Sequence, residues 1–415
     1  MEQGIQVNEE LLAGSPYFDS DERGAALREV FRFDYRRVLL GVGALAEVAV
    51  ECEGLGARRV LLVRDPAIEA VAAPVVEALT AGGIDIVSTF TEIVPNPTTA
   101  SVDALAAAVK AVDCDGVIAI GGGSTMDSAK VGCAVATCGG SSADYFGFDK
   151  FSSPADWPLI CLPTTAGTGA EASRVSVIVA TGGKQAIYSD HIQPRAAIVD
   201  PQLSAGMPPG LTATTGLDAL GHALECTASK KSDALGDAVA RESLAAGMPH
   251  FLRSIEHGDD KTARYQMCRC SLLAGLLLSP INTGAAHALG YGIEKVSFEK
   301  GKPVPHGTAV ALVLPGVMEH NAPAVADKYY YAAGVVGGLD LAGKSREEGV
   351  RLAADWIDTV RRRHTPYATL ADAGLGEADL PRMIDISMQV RRLLDPNPVE
   401  VTEMDAERIY RGVLC

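Results

Sequence analysis

The chain has 415 residues, 47% of them hydrophobic and 21% charged, a balance that fits a packed soluble protein and a length that predicts two domains. Its formal net charge of −16 excludes nucleic acid and anionic membranes as partners, since neither is drawn to a strongly acidic surface. An anionic cofactor stays open, because loop and helix dipoles bind phosphate locally whatever the total charge.

Residues 1–35 read as a polar extension. Their stretch MEQGIQVNEELLAGSPYFDSDERGAALREV is acidic, with no basic segment followed by an apolar core, so no secretory signal is expected. No run approaches about eighteen uninterrupted apolar residues, so no membrane span is expected either. The nine cysteines are scattered and only Cys268 and Cys270 lie close together, which reads as buried reduced thiols in a cytoplasmic enzyme.

From residue 36 onward short apolar runs alternate with amphipathic, Ala-rich segments. RRVLLVRD (58–65) predicts a buried strand, and PAIEAVAAPVVEALTAGG after it a helix with a glycine stop. DIVSTFTEIVPNPTT (85–99) predicts a strand and loop, SVDALAAAVKAVDCDG a helix. DGVIAIGGGS (115–124) and WPLICLPTTAGTG (157–169) each predict a strand running into a Gly/Thr loop. Such alternation implies a parallel sheet covered on both faces. Beyond AAIVDPQL (196–203) the pattern changes to long helical periods such as TATTGLDALGHALECTA and RYQMCRCSLLAGLLL. The boundary is therefore placed at residue 204, with an α/β domain over 36–204 and an all-helical domain over 205–415.

Two loops carry the first chemical signal. GGGSTMDSAK (121–130) follows a strand and opens a helix, where glycines allow close backbone approach and free N–H groups favour an anion. It is neither G-x-G-x-x-G nor a Walker loop. PTTAGTGAEAS (163–173) also follows a strand and is rich in hydroxyls. At the ends of neighbouring parallel strands the two would face one crevice, the usual place for a dinucleotide in an open α/β sheet. Asp65, ending the first predicted strand of this half, is placed to accept from the adenosine ribose hydroxyls and to repel a 2′-phosphate. That favours NAD over NADP, although Arg64 beside it offers a partner for the extra phosphate.

These loops, with AAIVDPQL, GLDALGHALE (216–225), PHGTAVALVLPGVMEHN (305–321) and DPNPVEVTEMDAERIY (395–410), resemble the iron-containing alcohol dehydrogenase family over nearly the whole chain from residue 36. The resemblance implies the architecture shared with dehydroquinate synthase: an N-terminal domain binding NAD(P), a helical domain carrying a divalent metal, and an active site in the cleft between. It puts Gly122, Gly123, Ser124 and Asp127 near the pyrophosphate, Thr164, Thr165, Thr168 and Lys184 along the rest of the cofactor channel, and Asn96 near the nicotinamide.

Asp218 and His222 stand at i and i+4 on one predicted helix, so both project to the same point. A carboxylate and an imidazole suit Fe(II) or Zn(II), and His306 would add a third ligand from another element. All three match the family's ligands. The family's fourth ligand opens an H-x-x-x-H pair. Matching His287 to the second histidine of that pair leaves Thr283 at the first. Three outcomes follow: Asp218, His222 and His306 hold the metal with water, His287 swings in as a fourth ligand, or the metal is lost. In the first outcome His287 relays the hydroxyl proton.

The stretch GYGIEKVSFEKGKPV after His287 lengthens the spacing to His306 and resembles the extended loop of transhydrogenase-like members; its Lys295, Lys300 and Lys302 would attract an anionic substrate. The expected function is hydride transfer between nicotinamide C4 and a small, anionic or neutral, aldehyde or alcohol, assisted by metal, in a homodimer or larger homo-oligomer. The alternatives are a hydroxyacid-oxoacid transhydrogenase, a metal-independent reductase of an activated carbonyl, a lyase resembling dehydroquinate synthase, and a nucleotide-binding protein without catalysis.

Overall fold

The computed structural model describes residues 36–180, 183–336 and 339–415, and the expected polar extension over 1–35 lies outside them. The strands are β1 (Arg37–Leu40), β2 (Arg59–Arg64), β3 (Asp85–Phe90), β4 (Gly116–Gly121), β5 (Gly147–Phe148), β6 (Leu159–Pro163), β7 (Val175–Ala180), β8 (Gly183–Tyr188) and β9 (Ala196–Val199). Six of them pair in parallel in the order β1-β9-β6-β4-β2-β3. Strands β4 and β6 are buried at every residue, as the unbroken apolar runs require for a sheet covered on both sides. Side chains alternate between the faces. Leu61, Val63, Val117 and Ala119 pack with Leu105 and Met126 of the helices Thr99–Ala111 and Gly123–Cys138. Val60, Leu62, Ile118 and Ile120 pack on the other side with Val75 and Leu79 of the helix Glu69–Ala81.

A second, three-stranded sheet was not legible from periodicity. Strands β7 and β8 pair antiparallel and β5 joins β8. This hairpin is tied to the segments after β3 and β4: the Val179 N–H donates to the Pro97 carbonyl (2.7 Å), and the Val177 N–H donates to Asp127 Oδ2 (3.0 Å). It thereby carries Lys184 and Tyr188 to the edge of the crevice.

Beyond β9 the described residues form helices and no strand. The helix Pro209–Ala228 is buried along most of its length and packs on the helices Ala234–Gly247, Lys261–Leu277 and His306–Val336. The last of these breaks at Val325 (φ −139°, ψ 26°), two residues after Pro323, whose ring cannot continue a regular turn. The segment expected as an extended loop after His287 is instead helical: Ala285–Glu299 is one helix, with Ile293 and Val296 one turn apart and buried in the core of this half.

The two halves touch through backbone. Gly169 sits in the left-handed region (φ 59°), and a Cβ built on Gly275 of the facing helix would lie 2.6 Å from Gly169 Cα. Only glycine at both positions permits that approach, which seats the loop after β6 on the helix Lys261–Leu277. All nine cysteines fall within the described residues as free thiols. Cys268 meets Ser204 and Cys270 meets Ser243, so the C-x-C pair faces two separate neighbours. Among the described residues no helix is long and apolar enough to cross a membrane.

Candidate active site

A cleft of about 320 Å³ opens where the loops after β4 and β6, the β7–β8 hairpin and the helices of the second half meet. On the side of the parallel sheet and its hairpin lie Asn96, Gly122, Gly123, Ser124, Asp127, Thr165, Thr168 and Lys184. The two Gly/Thr loops are joined: the Thr164 N–H donates to the Gly121 carbonyl (2.8 Å), and a Cβ on Gly123 would come within 2.7 Å of Thr168 Cγ2. Asn96 takes a left-handed conformation (φ 53°), which Asn tolerates, and its N–H donates to Ser124 Oγ (3.2 Å). The helix Gly123–Cys138 therefore starts at the cleft with its first N–H groups at the loop.

Two residues fall outside the cleft lining. Thr164 is buried and acts through its backbone bond to Gly121. Asp65 stands at the carboxyl end of β2, next to β4 in the sheet, where its Oδ1 accepts from the Ala67 N–H (2.8 Å) and caps the following turn. Asp127 lines the cleft but is committed to Val177 and Lys130, and burial raises its pKa.

At the base of the cleft three imidazoles converge on one oxygen. The Nε2 atoms of His222, His287 and His306 lie 3.6, 3.5 and 3.6 Å from Asp218 Oδ1. Asp218, His222 and His287 are buried and present ligand atoms all within 4.8 Å of one another, while His306 approaches from the more open side. Asp218 Oδ1 and His287 Nε2 are buried without a hydrogen-bond partner. Orphaned donor atoms of this kind, one hard oxygen with imidazole nitrogens, fit a divalent transition metal.

Carboxylates orient two of the rings from behind. Nδ1 of His287 meets Glu225, whose other oxygen accepts from the Ala286 N–H (2.6 Å), and Nδ1 of His306 meets Glu294 (2.6 Å). A metal-binding imidazole commonly has such a carboxylate at its outer nitrogen. Burial opposes a charge on His287, but Glu225 and Asp218 outweigh it and take its pKa up to about 10. Burial takes His222 down to about 4. Burial would also raise Asp218, yet the surrounding histidines hold it well below the usual carboxylate range. Glu294 is likewise brought down to about 2 against its burial, chiefly by Lys184, with which it pairs.

This geometry corrects three expectations. His287 stands among the converging groups already and need not swing in. Thr283 lies on the cleft wall ahead of the helix, and the residue one turn beyond His287 is Tyr291. None of the three lysines lines the cleft: Lys295 pairs with Glu299 (3.5 Å) and Lys300 with Asp379 (2.6 Å), while Lys302 runs beside Gly374. Sequence reasoning passed over Glu225, although GLDALGHALE puts it three residues after His222, on the same helical face. It also passed over Glu294, Tyr291, Tyr188 and Arg392, which local pattern does not mark.

Comparison with known proteins agrees along most of the described chain. The model of iron-containing alcohol dehydrogenase matches residues 36–201, and that of the C-terminal region of the Fe-containing alcohol dehydrogenase family matches 212–414. The chain belongs to the iron-containing alcohol dehydrogenase family. It is an NAD-dependent oxidoreductase acting on CH–OH groups, which sets aside the lyase and the purely binding alternatives. It is 34% identical over 385 residues to a choline dehydrogenase of Bacillus subtilis, covering 89% of this chain and 92% of that protein. A solved 1,3-propanediol oxidoreductase superposes with a TM-score of 0.85 at 29% identity, covering 92% of this chain and all of the other. A sulfoacetaldehyde reductase of Bifidobacterium kashiwanohense, solved with NAD⁺, superposes with a TM-score of 0.81 at 28% identity over 93% and 99% of the two chains.

Proposed function

We propose that this chain interconverts a small aldehyde and its alcohol with NAD(H) in the cleft, aided by a divalent metal held by Asp218, His222, His287 and His306. The observation that carries this reading is the convergence of three Nε2 atoms on Asp218 Oδ1, with two orphaned atoms among them, below the joined Gly/Thr loops. In this reading the unit over 36–204 holds the cofactor and the unit over 205–415 holds metal and substrate.

A bound Fe(II) or Zn(II) supplies Lewis-acid polarisation of the substrate oxygen. The chain's own groups do the rest. N–H groups at the start of the helix Gly123–Cys138 take the pyrophosphate. Glu225 and Glu294 keep a proton on Nδ1 of His287 and His306, so each Nε2 lone pair faces inward. Lys184, neutralised by Glu294, lies at the cofactor side of the metal cluster. Both nitrogens of His287 are committed in this arrangement, and the ring of Tyr291 stacks on His306 at 5.7 Å to close that side of the cleft.

The test is NADH oxidation by metal-loaded protein across a panel of short aldehydes, before and after chelation. Activity that disappears with the metal and returns on adding Fe(II) or Zn(II) supports the proposal. A metal-free protein that keeps its rate sinks the metal-assisted reading and leaves a direct reductase. Turnover between a hydroxy acid and a keto acid without added cofactor would favour the transhydrogenase instead.

Cofactor choice is testable at Asp65, whose place at the end of β2 supports a ribose contact. Asp65→Ala is expected to lower the preference for NADH over NADPH in kcat/KM by about tenfold. An unchanged ratio would mean that capping the Ala67 turn is its whole role.

A further inference from the structure

The three relatives' names disagree on substrate charge: choline is a cation, propanediol is neutral and sulfoacetaldehyde is an anion. The cleft's own residues must therefore decide the class for this chain.

One cation in the cleft wall has no acidic partner among the described residues. Arg392, from the short helix Arg391–Leu394, donates through Nη1 to Tyr188 Oη (2.8 Å) and through Nη2 to Tyr291 Oη (3.5 Å). Its Cζ lies 5.8 and 5.6 Å from the centres of those two rings. No carboxylate lies within 4.0 Å of it among the described residues, whereas its neighbour Arg391 pairs with Asp395 and Lys184 across the cleft pairs with Glu294. A guanidinium has five N–H donors, so most of this fork has no protein acceptor. Tyr188 Oη also accepts from Asn282 Nδ2 (3.0 Å), which leaves its own O–H to be donated outward. The aromatic rings and the asparagine thus hold a planar cation rigidly at the wall of the cleft without neutralising it.

We propose that Arg392, with the Tyr188 hydroxyl, is the docking point for an anionic group at the far end of the substrate, a carboxylate or a sulfonate. The proposal rests on the aldehyde–alcohol reading of the same cleft. Tyr291 spans the two ends, stacked on His306 at 5.7 Å and on Arg392 at 5.6 Å, so the carbonyl and the anion are separated by roughly one aromatic ring. That spacing suits a chain with about two to four carbons between them. Planar, bidentate recognition of an oxyanion is what an arginine fork offers and a lysine does not.

The experiment compares a short ω-carboxylate or ω-sulfonate aldehyde with the neutral aldehyde of equal length, using the metal-loaded enzyme and NADH. Wild type should prefer the anion by about 10- to 100-fold in kcat/KM, the range of a charge-assisted pair. In Arg392→Met, which keeps the stem and removes the charge, that ratio should fall to near one, through KM for the anionic aldehyde. Arg392→Lys should recover only part of it. As a measurement independent of any variant, a short dicarboxylate should inhibit wild-type reduction of the neutral aldehyde competitively. Equal use of both aldehydes by wild type, or a rise of KM for NADH alone in Arg392→Met, overturns the proposal while leaving the dehydrogenase reading intact. Failure of wild type to reduce either aldehyde overturns that reading and the proposal with it.

Discussion

Asp218→Ala is expected to empty the metal site and lower kcat/KM by about 10³-fold or more, the scale of several kcal/mol of charge stabilisation. Asp218 is the hub of the cluster: its Oδ1 lies 3.5–3.6 Å from all three imidazole nitrogens, and the surrounding histidines hold it in the charged form. Without it, a divalent ion would be met by neutral or protonated imidazoles in a buried site. Asp218→Asn separates shape from charge, because it keeps the volume and an oxygen while losing the negative charge, and it should resemble Ala more than wild type. Elemental analysis of each protein, with NADH oxidation measured on the same preparation, checks both. Metal at wild-type stoichiometry in Asp218→Ala would move the ion to another place in the molecule.

The second large effect is in the pH dependence of metal loading. His287 has its pKa carried to about 10, so the metal-free protein holds an extra proton there throughout the neutral range. A metal needs the neutral ring and expels that proton. His222, taken down to about 4, contributes no proton there. Metal affinity should therefore rise about tenfold per pH unit between about pH 7.5 and 9, with close to one proton released per ion from His287. Glu225→Gln removes the main cause of the raised value. It should flatten that slope and weaken binding by about 10- to 100-fold, as loss of a ligand's outer partner does. Titration calorimetry in two buffers of different ionisation enthalpy counts the protons directly; a slope near zero in wild type would refute the assignment. In the metal-free protein the sign reverses for stability. The raised pKa stabilises the fold fully below the unfolded imidazole value near ~6.5, and that contribution is lost as pH rises through about 10.

The local pattern was enough for the doubly covered parallel sheet, since alternate residues of β2 and β4 had to be apolar on both faces, and for the two Gly/Thr loops that end β4 and β6. It was enough, too, for the pair Asp218 and His222, because one turn of helix puts i and i+4 together wherever that helix lies. With His287 among the groups around Asp218, the family's pair can also be read as beginning at His287 and continuing at Tyr291. A lone histidine and a threonine four residues before it satisfy the same spacing as a histidine followed by Tyr291, and nothing in the local sequence separates the two registers. The 3.5 Å between His287 Nε2 and Asp218 Oδ1 favours the second. The lysines of the segment after His287 looked like an anion trap in sequence, but Lys295 pairs with Glu299 one turn on along its helix, and Lys300, just past the helix end, pairs with Asp379. Arg392 had no local signal at all; it lies about a hundred residues from Tyr291 and two hundred from Tyr188, and meets them only through packing.

By itself, then, the sequence determined what short-range physics controls: which runs become strands, where a helix begins at a glycine loop, and which side chains share one helical face. What only the tertiary structure decided was which distant groups share a buried space: the carboxylates behind His287 and His306, the hairpin laid across the Gly/Thr loops, and an arginine with no counter-charge among the described residues. The reason is that burial and charge pairing depend on contacts between residues far apart in the chain, and local periodicity carries no record of those contacts.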